Sequence, residues 1–176
     1  MKGFYLCEVS PEYYDSILSY RKEMLDHHDS FDGCAGLENF EDAEKWHLNA
    51  KLFEKKETVP PLYSVGFEYL YVNDKNVAGM INLRPEAESH PYLKKYGGHI
   101  GYSVRPSLRK QGIATDMLKD ALVLCKETYG LKRVMISCNE NNEASRRVIL
   151  NNGGVFDNKI LYPPEDIMIE RYWINL

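Results

Sequence analysis

The residues best suited to chemistry form one unbroken run, Val104-Arg105-Pro106-Ser107-Leu108-Arg109-Lys110-Gln111-Gly112-Ile113-Ala114. It reads as a strand end, a basic loop and a helix start. A helix N-terminus exposes backbone N–H groups that have no internal partner, and it carries a partial positive charge. Gly112 and Ala114 are small enough to let a phosphate reach that backbone, so the run reads as a pyrophosphate cradle. It lacks G-x-x-x-x-G-K-[ST] and G-x-G-x-x-G, which excludes the Walker loop and the usual dinucleotide fingerprint.

The charge around this run supports an anion site. The chain has 176 residues with 22 basic and 26 acidic side chains, a formal charge of −4. That balance argues against nucleic-acid binding through phosphate contacts, which calls for a basic stripe. Along the chain the charges separate. Residues 8–57 hold 13 acids and 6 bases, whereas residues 89–115 hold no acid and include Lys94, Lys95, Arg105, Arg109 and Lys110. An acid-free basic window in an acidic protein suits an anionic ligand. The acidic first third is either a solvated face or an attractor for a cationic amine.

The elements that must position the run follow from periodicity and turn chemistry. Residues 4–9 read as a strand and residues 10–27 as a helix with Ser10 as cap and Pro11 in its first turn. A second helix is expected over 41–56, ended by Pro60-Pro61. Strands are expected over 66–72 and 77–83, with Val77, Gly79, Ile81 and Leu83 alternating and Asn73-Asp74-Lys75-Asn76 as the turn of a hairpin. After a loop over 84–97, a strand over 99–104 leads into the basic run. A helix with Ile113, Met117, Ala121, Leu124 and Cys125 on one stripe ends at Gly130. A strand over 133–138, a helix over 142–152 and strands over 155–160 and 168–174 complete the order β-αα-ββ-β-α-β-α-β-β. The expected fold is α/β (α+β), with a mixed, mostly antiparallel sheet flanked by helices on both faces. The length suits one domain over residues 1–176. No apolar run approaches the ~18–20 residues that cross a bilayer, and no secretory h-region follows Met1, so a soluble cytoplasmic protein without a membrane partner is expected. Cys7, Cys34, Cys125 and Cys138 show no C-x-x-C spacing, so reduced, mostly buried thiols are expected.

Arg109-x-x-Gly112-x-Ala114 after a strand resembles the R/Q-x-x-G-x-G/A signature of the GCN5-related N-acetyltransferases (GNAT). Asn142-x-x-Ser145, followed by Asn151-Asn152-Gly153-Gly154, is similar to their second motif. Asp32-Gly33 with Ala35-Gly36-Leu37, the run from Tyr96 to Tyr102 and the ending Arg171-Tyr172-Trp173-Ile174 resemble a bacterial subgroup of predicted acetyltransferases. The resemblance implies acetyl-CoA as acyl donor, with no metal. It implies that the backbone of Tyr102, Ser103 and Val104 pairs with the pantetheine arm like an added strand. Arg109, Lys110, Gln111, Gly112, Ile113 and Ala114 would hold the pyrophosphate through their amides, and Asn142 and Ser145 would line the cofactor. The family's two splayed strands would be 99–104 and 133–138. The implied acceptor is a small-molecule amine or a peptide amine, read by the first helices, the 84–97 loop and the C-terminal strands.

Acetyl transfer needs a neutral amine, a route for its proton, donors for the oxyanion and an acid for the leaving thiolate. Many family members place a carboxylate where this chain has His99, whose ordinary pKa of about 6.5 suits a base or, equally, a structural strand-start histidine. The family's tyrosine acid falls on Ile149, which cannot donate a proton, so either Tyr172 or a water serves instead or the thiolate leaves with little help. The missing acid also leaves open a non-catalytic acyl-CoA-binding or sensing module on the same fold. His27-His28-Asp29 has no second ligand pair at metal-binding spacing, and residues 29–33 lack calcium-loop spacing. The aromatic strand Tyr172-Trp173-Ile174 could pair across a homodimer.

Overall fold

The computed structural model describes residues 3–176. In chain order the elements are β1 (Tyr5–Glu8), α1 (Tyr14–Asp26), α2 (Ala43–Leu52), β2 (Phe67–Asn73), β3 (Asn76–Leu83), β4 (Ile100–Val104), α3 (Ile113–Glu127), β5 (Arg133–Asn139), α4 (Glu143–Asn151), β6 (Val155–Tyr162) and β7 (Ile167–Asn175). The order is the one read from the sequence. The strands form two antiparallel sheets, β1-β2-β3-β4 and β5-β7-β6.

Local chemistry sets the helix ends. Pro11 opens a 3-10 turn that runs into α1, whose Ile17, Tyr20 and Met24 are buried. Asp42 caps α2 by accepting the Lys45 N–H at 3.0 Å. This helix stops at Leu52, short of the expected residue 56, because the Thr58 hydroxyl donates to the Leu52 carbonyl at 2.8 Å and the chain turns there.

The β2–β3 hairpin turns at Asp74-Lys75, with Asp74 at φ +52°. The expected Val77–Leu83 alternation holds only from Gly79 onward. Tyr71 pairs with Gly79 and Val72 with Val77, so Ala78 is an extra residue in a bulge. Val77 consequently packs with Met80 under α1, while Ile81 and Leu83 face α3.

Helices cover both faces of the first sheet. On one, Ile17, Tyr20, Met24 and Trp46 bury Leu70, Val72 and Met80. On the other, Ile113, Met117, Leu118 and Ala121 of α3 pack on Ile81 and Leu83, and this core continues into Val134, Ile136, Tyr172 and Ile174 of the second sheet. At ~1.5–3 kcal/mol per buried large aliphatic side chain, this shared core helps hold the two sheets together.

The sheets touch at one point and then part. The His99 N–H donates to the Met135 carbonyl at 2.8 Å, and the Met135 N–H donates to His99 Nδ1 at 2.9 Å. Beyond this clasp β4 pairs only with β3, and β5 only with β7. The homodimer route through residues 172–174 is closed, because β7 lies between β5 and β6 with both edges paired. The four cysteines are free; Cys34, Cys125 and Cys138 are buried, and burial pushes the Cys138 thiol up to about 11.

Candidate functional site

The gap between β4 and β5 opens into a cleft of about 2220 Å³. It is lined by Tyr102, Ser103, Val104, Arg109, Lys110, Gly112, Ile113, Ala114, Asn142 and Ser145. Of the cofactor residues expected from the sequence, only Gln111 lies outside this lining, exposed on the loop.

The loop approaches α3 through two left-handed residues, Lys110 at φ +61° and Gly112 at φ +82°. Gly112 is the residue before the first turn, and a Cβ there would meet nothing within 4 Å. The first amide of α3 that bonds back is Asp116, to the Gly112 carbonyl at 3.0 Å. The N–H groups of Ile113, Ala114 and Thr115 precede any internal acceptor, as helix geometry requires. An anion at this open end meets backbone donors and the positive end of a 15-residue helix.

The arginines of the basic window serve another purpose. Arg105 donates through Nε to the Val77 carbonyl at 3.0 Å, through NH2 to the Ser16 carbonyl at 3.1 Å and through NH1 to Ser19 Oγ at 3.2 Å, with Glu23 beside it. Arg109 turns back to the Val104 carbonyl at 3.0 Å and pairs with Asp29 at 3.0 Å. Both brace α1 and its following loop against the β4 end. Lys110, exposed on the cleft, is the side chain free to follow a phosphate.

β4 offers the second requirement, an open edge. Its ladder to β3 covers Ile100–Val104, and among the described residues no strand pairs with its other side. Tyr102 reaches across the gap, its hydroxyl 2.9 Å from Ser145 Oγ on α4. Burial raises the Tyr102 hydroxyl above the ordinary tyrosine range, against the opposing hydrogen bond from Ser145. Asn142 caps α4 by accepting the Ser145 N–H at 3.0 Å, which leaves its side-chain NH₂ for the cleft.

Neither residue expected to move protons lines the cleft. His99 is 3% exposed and commits Nδ1 to the Met135 N–H, so its remaining nitrogen carries the proton in the neutral ring and has no lone pair for an incoming amine. Burial also lowers its pKa. Tyr172 is 3% exposed and donates to Glu170 Oε2 at 2.7 Å. Glu170 also pairs with Arg146 at 2.6 Å and Lys159 at 3.1 Å. Burial alone would raise Glu170, but Arg146, Tyr172 and Lys159 outweigh it and hold the carboxyl at about 2. Both expected catalytic side chains are therefore committed to the second sheet and its joint with the first. Ile149 is fully buried, as an apolar residue at that place should be.

Arg84, Tyr92 and Tyr96 of the 84–97 loop line the cleft, joined by Glu68 and Tyr162, which the sequence reading did not single out. Glu68 of β2 is buried; its Oε2 accepts from Asn82 at 3.0 Å, and Asn82 Oδ1 accepts from Arg84 Nε at 3.0 Å. Arg84 also donates to the Gly97 carbonyl at 3.0 Å. Tyr92, Tyr96 and Tyr162 form a wall, with centroids 5.0 to 6.3 Å apart. An acid inside a strand of apolar residues was the available signal for Glu68. The tyrosine wall joins two segments about 70 residues apart, which no local pattern reveals. Among the described residues no group of three or more His, Cys, Asp or Glu could hold a metal, and no helix is long and apolar enough to cross a membrane.

Two parted sheets, an unpaired strand edge and a glycine-opened helix N-terminus together form one elongated cleft with an anion-attracting end. The chain belongs to the GNAT acetyltransferase family: the Acetyltransferase (GNAT) domain matches residues 11–155. Comparison with curated proteins gives no match. Among solved structures it is similar to the microcin C7 self-immunity acetyltransferase MccE in complex with acetyl-CoA and AMP, with TM-score 0.73 and 14% identity over 100% of this chain and 94% of that one. It is similar to RimL, the ribosomal L7/L12 alpha-N-protein acetyltransferase in complex with coenzyme A, with TM-score 0.71 and 16% identity over 100% and 96% of the two chains. The ribosomal-protein-S5-alanine acetyltransferase from Vibrio fischeri gives TM-score 0.72 and 16% identity over 99% and 94%. At these identities the likeness is one of fold.

Proposed function

We propose that this protein moves an acetyl group from acetyl-CoA to a primary amine by direct transfer in a ternary complex. The observation that carries the reading is the continuity of the cleft, from the open α3 N-terminus along the unpaired β4 edge into a pocket beyond the gap. The fit to acetyl-CoA is physical. Gly112 leaves space where a side chain would block a phosphate, the Ile113–Thr115 amides and Lys110 supply donors, and the β4 edge can pair with the amides of a pantetheine arm.

In this reading the chain supplies mainly position. Holding amine and thioester together in near-attack geometry removes much of the barrier without a covalent enzyme intermediate. The nitrogen lone pair attacks the carbonyl carbon, the C–S bond breaks, and the amine proton leaves to a carboxylate or water. The Tyr102–Ser145 hydroxyl pair, central in the gap, replaces Tyr172 as the proton source for the departing thiolate. His99 and Tyr172 hold the structure together through the clasp and the Glu170 network.

The test is acetyl-CoA binding followed by thiol release over a panel of small amines and peptide amines. Acetyl-CoA should raise the melting temperature, and some amine should trigger release of coenzyme A; absence of binding at millimolar acetyl-CoA sinks the reading. A second reading, a non-catalytic acyl-CoA-binding module, is favoured by the commitment of both His99 and Tyr172 to structural bonds. Tight cofactor binding with every acceptor silent would select it.

A further inference from the structure

The cleft beyond the β4–β5 gap has a chemistry of its own. Asp32 stands on its rim, exposed, at the tip of the loop after α1. Its carboxylate accepts from the Ser30 hydroxyl at 2.8 Å, and its charge is felt by Arg84, Tyr92 and Tyr102. Glu68 borders the same space, 7% exposed, with burial pushing its carboxyl well above the ordinary range; among the described residues its Oε1 has no hydrogen-bond partner, while Oε2 is held by Asn82. A buried acceptor left unmet in the wall of a cleft is relieved by a donor arriving with a ligand.

One base, Arg84, faces both carboxyl groups and offsets part of their charge. Arg84 is tied to Asn82 and to the Gly97 carbonyl, and the free lysine of the cleft, Lys110, lies at the α3 end. The facing wall is aromatic: Tyr92, 48% exposed, packs with Tyr96 and Tyr162, and Tyr63, 64% exposed, stands on the same cleft. The Asp32 carboxylate and an unmet carboxyl oxygen of Glu68 beside exposed rings suit a ligand that is cationic at one end and flat and apolar at the other.

We propose that Asp32, Glu68 and the Tyr92–Tyr96–Tyr162 wall form the acceptor site, and that it takes a primary ammonium carried on an aromatic body. This rests on the acetyltransferase reading for its purpose but not for its geometry. Asp32 receives the ammonium at the rim, Glu68 accepts a second hydrogen bond within, and the rings stack on the body, which points the nitrogen toward the Tyr102–Ser145 pair.

The experiment is a set of binding titrations by calorimetry on the full chain, with and without coenzyme A. The probes are tyramine, its uncharged counterpart 4-ethylphenol, and the ring-free cation 1,4-diaminobutane. Tyramine should bind at least tenfold tighter than either of the others. Asp32→Asn should weaken tyramine about tenfold and leave 4-ethylphenol unchanged, and Glu68→Gln should weaken tyramine but not 4-ethylphenol. Tyr92→Ala should weaken both ring compounds and spare the diamine. The proposal is overturned if the diamine matches tyramine, or if Asp32→Asn leaves tyramine binding intact in a protein whose melting temperature is unchanged. Coenzyme A affinity is read separately: tyramine binding without coenzyme A binding defeats the donor reading alone, and the reverse defeats this proposal alone.

Discussion

Gly33 and Gly101 lie backbone against backbone. A Cβ on Gly33 would overlap the Gly101 carbonyl oxygen, and a Cβ on Gly101 would stand 3.2 Å from the Gly33 nitrogen and overlap the Arg84 guanidinium. Gly33 also sits at φ +74°, in the left-handed region. The contact seats the loop that carries Asp32 directly on β4, the strand whose other edge is open.

Replacing Gly33 with alanine therefore meets both a backbone overlap and an unfavourable dihedral. The expected cost is about 2–4 kcal/mol of stability, read from urea denaturation, since neither partner is a flexible side-chain end. If the protein retains its wild-type midpoint, the contact is not a structural seat for the loop.

The donor end separates charge from shape. Lys110→Ala should weaken acetyl-CoA about tenfold, with a reduced salt dependence of binding. Gly112→Asp should abolish binding by placing a like charge in the phosphate approach. Arg109→Ala should instead lower the melting temperature, because its guanidinium is bonded to the Val104 carbonyl and to Asp29. Titrations at two salt concentrations beside thermal melts distinguish the three.

Two tyrosines exchange their expected parts. Tyr172→Phe should cost about 1–2 kcal/mol by leaving Glu170 one donor short, with turnover nearly unchanged. Tyr102→Phe should leave stability nearly unaltered and reduce kcat about 10–100-fold while the KM for acetyl-CoA stays close to wild type. Equal kcat losses in both variants would contradict this division.

His99 makes stability depend on pH. Burial lowers its pKa from 6.5 in the folded protein, so the unfolded chain binds the proton more tightly. Stability is therefore full above pH 6.5 and falls as the pH drops from there through the lowered native value. His47, also lowered chiefly by burial, adds to the same slope. His99→Asn keeps an acceptor for the Met135 N–H but does not titrate, so its stability should fall less between pH 6.5 and 5 while more than a tenth of kcat survives. Chemical denaturation across that range checks the first outcome, and initial rates check the second.

What the sequence by itself determined was much of what depends on near neighbours along the chain. The element order, the α3 stripe and the Gly112 opening arise from contacts within a few residues, and short-range patterns record them. The length of α2 and the face of Val77 escaped because a single hydroxyl, Thr58, and a single extra residue, Ala78, decided them. Only the tertiary structure decided which side chains face the cleft. His99 has the right type for a base, but its partner is Met135, 36 residues on, and that bond turns the ring into a clasp between sheets. Arg105 and Arg109 have the right charge for a phosphate, but α1 and its loop, about 80 residues away, claim them. A hydrogen bond is directional and saturable, so a titratable group spent on a distant partner is withdrawn from chemistry, and the sequence carries no mark of that.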